Sequence, residues 1–263
     1  AALEAGTIKV DDIIKTNPGR MRIGGKIVRD GRNYGDLSLS GILVHSSNVG
    51  MTKIALSMPV QELLGAYQTM GLGNYSGINL EGESAGLIHD RRRWSEFERA
   101  TLSFGYGLMA TPLQLARMYS ILGNKGVLYP VSILKLKQEP EGTQVLSPEV
   151  AQSVMEMLVG VTEKGGTALK AHIEGYPVAG KTGTARKAVA GGYGEDYVAL
   201  FAGVAPVHNP KLAIAVVVNE PKGDRYYGGD IAAPVFAAVM SGALQMLNVE
   251  PISNREKVRL AAN

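Results

Sequence analysis

The chain has 263 residues and a mass of 27.9 kDa, and its 45% apolar content is enough to bury a substantial core in one large domain or two small ones. Its net charge of +3, from 27 Lys+Arg against 24 Asp+Glu, is far from the concentrated basic surface of a nucleic-acid binder, so no nucleic-acid partner is expected. The 33 glycines and 12 prolines are dispersed, which excludes collagen-like and disordered classes, and the lack of cysteine excludes disulfides, thiolate nucleophiles and Cys-ligated zinc.

Residues 1–6, AALEAG, read as the tail of a helix ended by a C′ glycine, and with no initiator Met the chain is expected to be an excerpt. Residues 7–36 are polar and Gly-rich, with short alternating pieces such as Met21-Arg22-Ile23, and predict loops and minor strands. Helical spacing begins at Ser46. After Pro59, Val60, Leu63, Leu64, Tyr67 and Met70 form one apolar stripe that Gly71 ends. Residues 71–110 form a long glycine-rich excursion in which Arg91-Arg92-Arg93 reads as a solvated face. Thr111-Pro112 starts a helix to Gly123, with Thr as N-cap and Pro at the first helical position, and Ser147-Pro148 starts another through Val161.

Residues 127–137 alternate like a strand, and further strands are predicted at 176–187, 197–207 and 211–220. Only His208-Asn209-Pro210 separates the last two, too short a link for a parallel crossover, so they are antiparallel neighbours. A final helix, about Ala233 to Asn248, should pack on the sheet. The longest uninterrupted apolar run, Leu212–Val218, has seven residues against the roughly 20 that span a bilayer, so no membrane crossing is expected. One α+β domain over residues 1–248, an antiparallel sheet flanked by helices, followed by a tail at 249–263, is the economical organisation.

Three motifs compete for the chemistry. Gly82-Glu83-Ser84-Ala85-Gly86 satisfies the nucleophile-elbow pattern, but it lacks the buried strand before the serine and the packed helix after it that would hold a strained turn. Gly175 to Thr182 matches the phosphate-loop pattern around Lys181. The residues before it make no apolar strand, however, and Gly191-Gly192 arrives before a helix could aim its amides at a phosphate. The third reading pairs Ser46-Ser47-Asn48, at a helix start, with Lys181-Thr182-Gly183-Thr184 on a strand. There a strand lysine supplies positive charge, the adjacent hydroxyls hold a carboxylate, and the glycine lets a substrate backbone come close to the strand edge. Read alone, Ser46 or Ser47 is equally well a helix cap, and K-T-G-T an ordinary strand.

These two motifs, with Phe104 to Ala116, Ser46-Ser-Asn-Val-Gly50, Arg93-Trp94-Ser95 with Glu98-Arg99-Ala100-Thr101, Lys181 to Lys187, and Tyr226-Tyr-Gly-Gly229 followed by Ala233 to Phe236, resemble the class B penicillin-binding proteins over nearly the whole chain. More narrowly, they resemble the septal peptidoglycan D,D-transpeptidases of Gram-negative bacteria. The resemblance implies a β-lactamase-like transpeptidase fold with a five-stranded antiparallel sheet, its first strands and its S-x-x-K nucleophile lying upstream of Ala1. The only S-x-x-K present, Ser132-Ile-Leu-Lys135, falls in the alternating 127–137 segment, where residues three apart face opposite sides. The 263-residue polypeptide by itself is therefore expected to be catalytically incompetent.

The same resemblance implies roles for particular residues. Ser46 passes a proton toward the leaving amine with help from Lys181, Asn48 bonds the substrate amide, and Thr182 and Thr184 bind the terminal carboxylate beside Gly183. The backbone amide of Thr184 contributes to an oxyanion hole. Tyr193, Tyr226 and Tyr227 either wall the site or simply pack. Ser47 stands where related β-lactamases carry Asp, a departure that favours a transpeptidase. The implied partners are peptidoglycan stem peptides, β-lactam antibiotics and division-complex proteins including a glycosyltransferase, on the periplasmic face of the inner membrane behind an N-terminal anchor. The histidines at 45, 89, 172 and 208 lack metal-ligand spacing, and no metal or cofactor is expected. A non-catalytic scaffold for peptidoglycan or division partners and, further off, a nucleotide-binding protein using Lys181 are the alternatives.

Overall fold

A computed structural model describes residues 1–89 and 91–252, so most of the expected tail, 253–263, lies outside the described residues. The chain divides into two compact units, Ala1–Met157 and Leu158–Asn263.

The first unit opens on a Schellman-type turn. Thr7 N–H donates to Ala2 O, Gly6 N–H donates to Leu3 O, and Gly6 has φ +66°, which is the helix-end geometry expected from the sequence. The polar stretch after it holds β1 (Ile13–Lys15), β2 (Arg20–Ile23), β3 (Lys26–Arg29) and β4 (Asp36–Ser38). β1 pairs with β4, and β2–β3 form a hairpin. Two short helices follow, α1 (Leu39–His45) and α2 (Asn48–Leu56), then α3 (Val60–Thr69). The hairpin seats Ile23 and Val28 against Val49 of α2 and Ala100 of α4 (Glu96–Leu102), which fixes the end of β3 beside the start of α2. Gly50 makes the turn between α1 and α2 tight, since a Cβ there would lie 2.7 Å from Ile42 Cγ1.

The 71–110 excursion is tied together by Gln114, which is 2% exposed. Its Nε2 donates to Asn74 O and Ala85 O, and its Oε1 accepts from Thr111 N–H in the capping box of α5 (Pro112–Gly123). β5 (Leu87–Ile88) pairs with β6 (Leu108–Met109). Within the arginine run, Arg91 pairs with Glu98 and lies over the Trp94 ring, and all three arginines are exposed, as expected of a solvated face.

The 127–137 strand is a correction. Only β7 (Val127–Leu128) forms, paired with β8 (Thr143–Gln144), and Pro130, lacking an N–H to continue a ladder, precedes an exposed loop. Within it the Ser132 hydroxyl accepts from Leu134 N–H at 3.1 Å and donates to Leu134 O at 2.8 Å, so the lone S-x-x-K sits in a local turn, neither strand nor helix. α6 (Pro148–Thr162) starts where the Ser-Pro cap predicts.

The second unit is an antiparallel sheet in the order β11-β10-β9, from β9 (Ala179–Val189), β10 (Gly192–Ala205) and β11 (Leu212–Asn219). The predicted β10–β11 pairing holds, with Ala205 opposite Leu212, and this sheet has three strands among the described residues. Gly191-Gly192, which counted against a helix, belongs to the β9–β10 hairpin; Val189 faces Gly192, and Gly191 takes φ +87°. α7 (Gly228–Met246) buries Ala232, Ala233, Phe236, Met240 and Leu244, and the Phe236 ring meets Phe201 of β10 edge-on at 4.6 Å. This helix begins five residues before the predicted Ala233. It is long and apolar enough by composition to span a bilayer, and here it packs on the sheet. Residues 249–252, expected to be tail, are tied in: Tyr176 Oη donates to Val249 O at 2.7 Å, and Ile252 N–H to Gly175 O at 2.9 Å.

Candidate active site

In the first unit the Ser46-Ser47-Asn48 motif is the joint between α1 and α2. Ser46 N–H donates to Leu43 O and Ser47 N–H to Ile42 O, so α1 ends in a Schellman-type turn whose left-handed position is Ser46, at φ 55° and ψ 48°. Glycine is the ordinary residue there, because a Cβ in that conformation crowds the backbone at a cost of roughly 1–2 kcal/mol. Ser46→Gly is accordingly expected to stabilise this chain, and so raise its melting temperature, by a net ~0.5–1 kcal/mol, the roughly 1–2 kcal/mol of relieved strain less the ~0.5–1 kcal/mol of extra backbone freedom that glycine loses on folding. An unchanged or lower melting temperature by calorimetry would refute the strain.

Ser47 takes the capping part of the open alternative. It is the N-cap of α2, fully buried, and its Oγ accepts from Gly50 N–H at 2.9 Å. Its hydroxyl proton goes to Asp30 Oδ2 at 2.7 Å, and Asp30 Oδ1 accepts from Val49 N–H at 2.9 Å. Asn48, the first residue of α2, donates from Nδ2 to Arg29 O at 3.1 Å. Sequence reasoning missed Arg29 and Asp30, and no local signal marks a lone carboxylate after a basic hairpin.

In the second unit Lys181, Thr182, Gly183 and Thr184 lie on β9, opposite Ala202, Phe201, Leu200 and Ala199. The strand pleat puts Thr182 and Thr184 on one face. Thr184 Oγ1 accepts from the N–H of Gly228, the first residue of α7, at 3.0 Å, which leaves its own proton to donate to an anion. Thr182 Oγ1 lies 3.3 Å from Thr167 Oγ1 and 3.2 Å from Lys181 Nζ. Burial depresses the Lys181 ammonium from its ordinary 10.5 to about 8. The Cβ that Gly183 lacks would lie 2.8 Å from Leu200 Cγ, so this glycine also answers to packing inside the sheet. β9 is the edge of its sheet among the described residues, so its outer side has no partner strand.

Gly228 and Thr167 are further contributors; the Tyr-Tyr-Gly-Gly run pointed at the first, and nothing pointed at the second. The tyrosines form a partly exposed ladder. Tyr226 stacks on Tyr197 at 4.1 Å and meets Tyr227 at 4.5 Å, and Arg186 lies over the Tyr197 ring. Tyr193 is exposed near the hairpin tip.

The competing motifs have no support. Lys181-Thr182 runs along a strand where a phosphate loop needs a helix N-terminus, and Ser84 lies in a loop, its Oγ accepting from Gly86 N–H. Among the described residues no cluster of His, Asp or Glu is able to hold a metal ion.

A family model described as the penicillin binding protein transpeptidase domain matches residues 1–241. The chain is 44% identical over 251 residues to the peptidoglycan D,D-transpeptidase FtsI of Escherichia coli K12, covering 95% of this chain and 42% of that protein. It is 41% identical to the probable peptidoglycan D,D-transpeptidase PenA of Neisseria flavescens, covering 98% of this chain and 65% of that one. The chain thus spans about two fifths to two thirds of these relatives' lengths. The apo structure of the TP domain from Burkholderia pseudomallei penicillin-binding protein 3 superposes with a TM-score of 0.91 at 38% identity, over 96% of this chain and 77% of that one.

Proposed function

Because the chain belongs to the penicillin-binding protein transpeptidase domain family, of the FtsI/PenA kind, we propose that the whole protein is a peptidoglycan D,D-transpeptidase working through a serine acyl-enzyme. The observation that carries this reading is the pair of hydroxyls, Thr182 and Thr184, on one face of an edge strand beside the Lys181 ammonium. That arrangement suits a peptide ending in a carboxylate.

In this reading a serine attacks the D-Ala-D-Ala carbonyl of one stem peptide, terminal D-alanine leaves, and an amine of a neighbouring stem takes the acyl group, restoring the serine. Ser46 and Lys181 pass the proton to the leaving amine. Asn48 holds the substrate amide, Thr182 and Thr184 hold the carboxylate, and the Thr184 amide donates to the oxyanion. β-Lactams are acylating mimics of the same substrate. The protein acts at the periplasmic face of the inner membrane during septal wall synthesis, beside a glycosyltransferase and other division proteins. The attacking serine belongs to an S-x-x-K on a helix, and Ser132, held in an exposed turn, is not it.

Intact-mass measurement with a β-lactam tests this on the 263-residue polypeptide and on the whole protein. One covalent adduct on the whole protein and none on the shorter chain is the expected result. An adduct on the shorter chain overturns the assignment of the nucleophile. No adduct on either, with both folded, overturns the transpeptidase reading in favour of a scaffold.

A further inference from the structure

We propose that Glu220, the residue that leaves β11, is a positioning residue: paired with Lys187, it fastens the segment 220–228 across β10 and so sets the Thr184 hydroxyl for a carboxylate. The inference rests on the transpeptidase reading above and adds an ion pair to it. Segment 220–228 joins β11 to α7 and is tied to β9 at both ends. At its far end, Gly228 N–H donates to Thr184 Oγ1 at 3.0 Å. At its start, Glu220 Oε1 accepts from Lys187 Nζ, three residues further along the same strand than Thr184. Between the two ties, the Tyr226 ring stacks on Tyr197 of β10 at 4.1 Å.

The start of this strap is held in a conformation that neither the residue type nor its position favours. Glu220 has φ +52°, in the left-handed region where a Cβ crowds the backbone, and it precedes Pro221, where an extended backbone is the ordinary one. Such a conformation persists where the surrounding structure imposes it. Two contacts do so here. Glu220 N–H donates to Tyr197 O at 2.9 Å, one step beyond the pair Val198 and Asn219 that ends the β10–β11 ladder. The Glu220 carboxylate is held by Lys187, whose hydrogen bond and charge keep it below the ordinary carboxylate range, and Lys222 Nζ lies 3.7 Å from Oε2. Lys187 and Glu220 are both half-buried, whereas residues 222–225 in the middle of the strap are exposed. Because Thr184 and Lys187 belong to one strand, the strap cannot slide along β9 without breaking a tie. Glu220 fixes where it begins and the tyrosine stack fixes its course, so Gly228 N–H meets Thr184 at one position.

The test is Glu220→Gln in the whole protein, which keeps the size of the side chain and removes the charge that Lys187 binds. Stopped flow with a carboxylate-bearing β-lactam, and with the methyl ester of the same compound, gives a second-order acylation rate constant and an amplitude for each. Small misplacements of a binding group are costly in rate, so acylation by the carboxylate form should fall ~3- to 20-fold at full amplitude, while the ester, which gives Thr184 no carboxylate to hold, should change by less than about twofold. Lys187→Met, which breaks the pair from the other side, should match this, and the double variant should lose no more than the worse single one. Glu220→Gly separates the tie from the strain, since it frees the left-handed position and also loses the carboxylate. Its melting temperature should be no lower than that of Glu220→Gln, with acylation as slow.

Equal losses with both compounds, or a lower amplitude with unchanged rate constants, would mean that the ion pair serves stability alone, and either result overturns the proposal. So does an unchanged rate constant at full amplitude, or a Glu220→Gly protein as fast as wild type. If Glu220→Gln does not fold, Lys187→Met decides by the same criteria. A wild-type protein that forms no adduct with either compound fails the transpeptidase reading itself, a separate outcome visible before any variant is made.

Discussion

Gly228→Ala is expected to lower the melting temperature of the second unit by several degrees and to slow acylation in the whole protein. A Cβ on Gly228 would lie 2.3 Å from Leu200 O and 2.5 Å from Gly183 O, both backbone atoms of the sheet that have nowhere to move. α7 must then back away from β9 and β10, at a cost of about 1–3 kcal/mol for overpacking. The same movement breaks the 3.0 Å bond from Gly228 N–H to Thr184 Oγ1, which orients one of the two hydroxyls proposed to hold the carboxylate. Gly242→Ala, elsewhere on α7, meets nothing within 4 Å and should instead stabilise by roughly 0.5–1 kcal/mol, as alanine does in a helix interior. Calorimetry on the two variants checks both signs. Equal melting temperatures for Gly228→Ala and wild type would show that α7 does not press on the sheet as closely as these distances require.

The second large effect is expected at Lys181, whose ammonium is pushed down to about 8 by burial. Its charge is therefore lost within a range where an exposed lysine keeps it. If the ammonium assists proton transfer and holds negative charge, β-lactam acylation in the whole protein falls above pH ~8. Lys181→Arg, charged throughout that range, removes this basic limb, and Lys181→Ala lowers the rate by about 10² to 10⁴ at neutral pH. A profile flat to pH 10 in the wild type would reject the charged role. The sign for stability is the opposite of the sign for activity. Between pH ~8 and the ordinary value of 10.5 the unfolded chain binds the proton and the folded chain does not, so stability rises with pH across that window. Below pH ~8 both states are protonated, and the cost of burying the charge is carried in full. Thermal melts of wild type and Lys181→Met as a function of pH measure this directly, and the difference between them should shrink on going from pH 8 to pH 10.

Much of the fold was legible because it is written in local chemistry. Thr111-Pro112, Ser147-Pro148 and Gly71 mark helix ends through hydrogen bonds and φ preferences that involve a few neighbouring residues, and the structure has α5, α6 and the end of α3 at those positions. The short link after Ala205 settles an antiparallel pairing by length alone. The errors have local causes as well. α4 was missed although Ser95 and Glu98 form a capping box, and α1 was missed because its Ser38 cap precedes only seven helical residues. In the 127–137 segment the alternation was real, but Pro130 and the turn at Ser132 left no partner for a ladder.

The sequence by itself determined the chemistry on offer: a lysine, two threonines and a glycine in a strand, a serine pair and an asparagine at a helix start, and no cysteine. The tertiary structure decided how those groups are held. Asp30 reaches Ser47 from 17 residues away, and Gly228 reaches Thr184 from 44 residues away. Neither contact has a spacing that a local pattern could encode. The start of α7 at Gly228, ahead of Pro234, follows from the same cause, since Thr184 satisfies an amide that an isolated helix would leave to water. Caps, turns and strand alternation are short-range forces and can be read along the chain. The orientation of a catalytic side chain is fixed by hydrogen bonds and close backbone packing between distant segments, which exist only once the chain has folded.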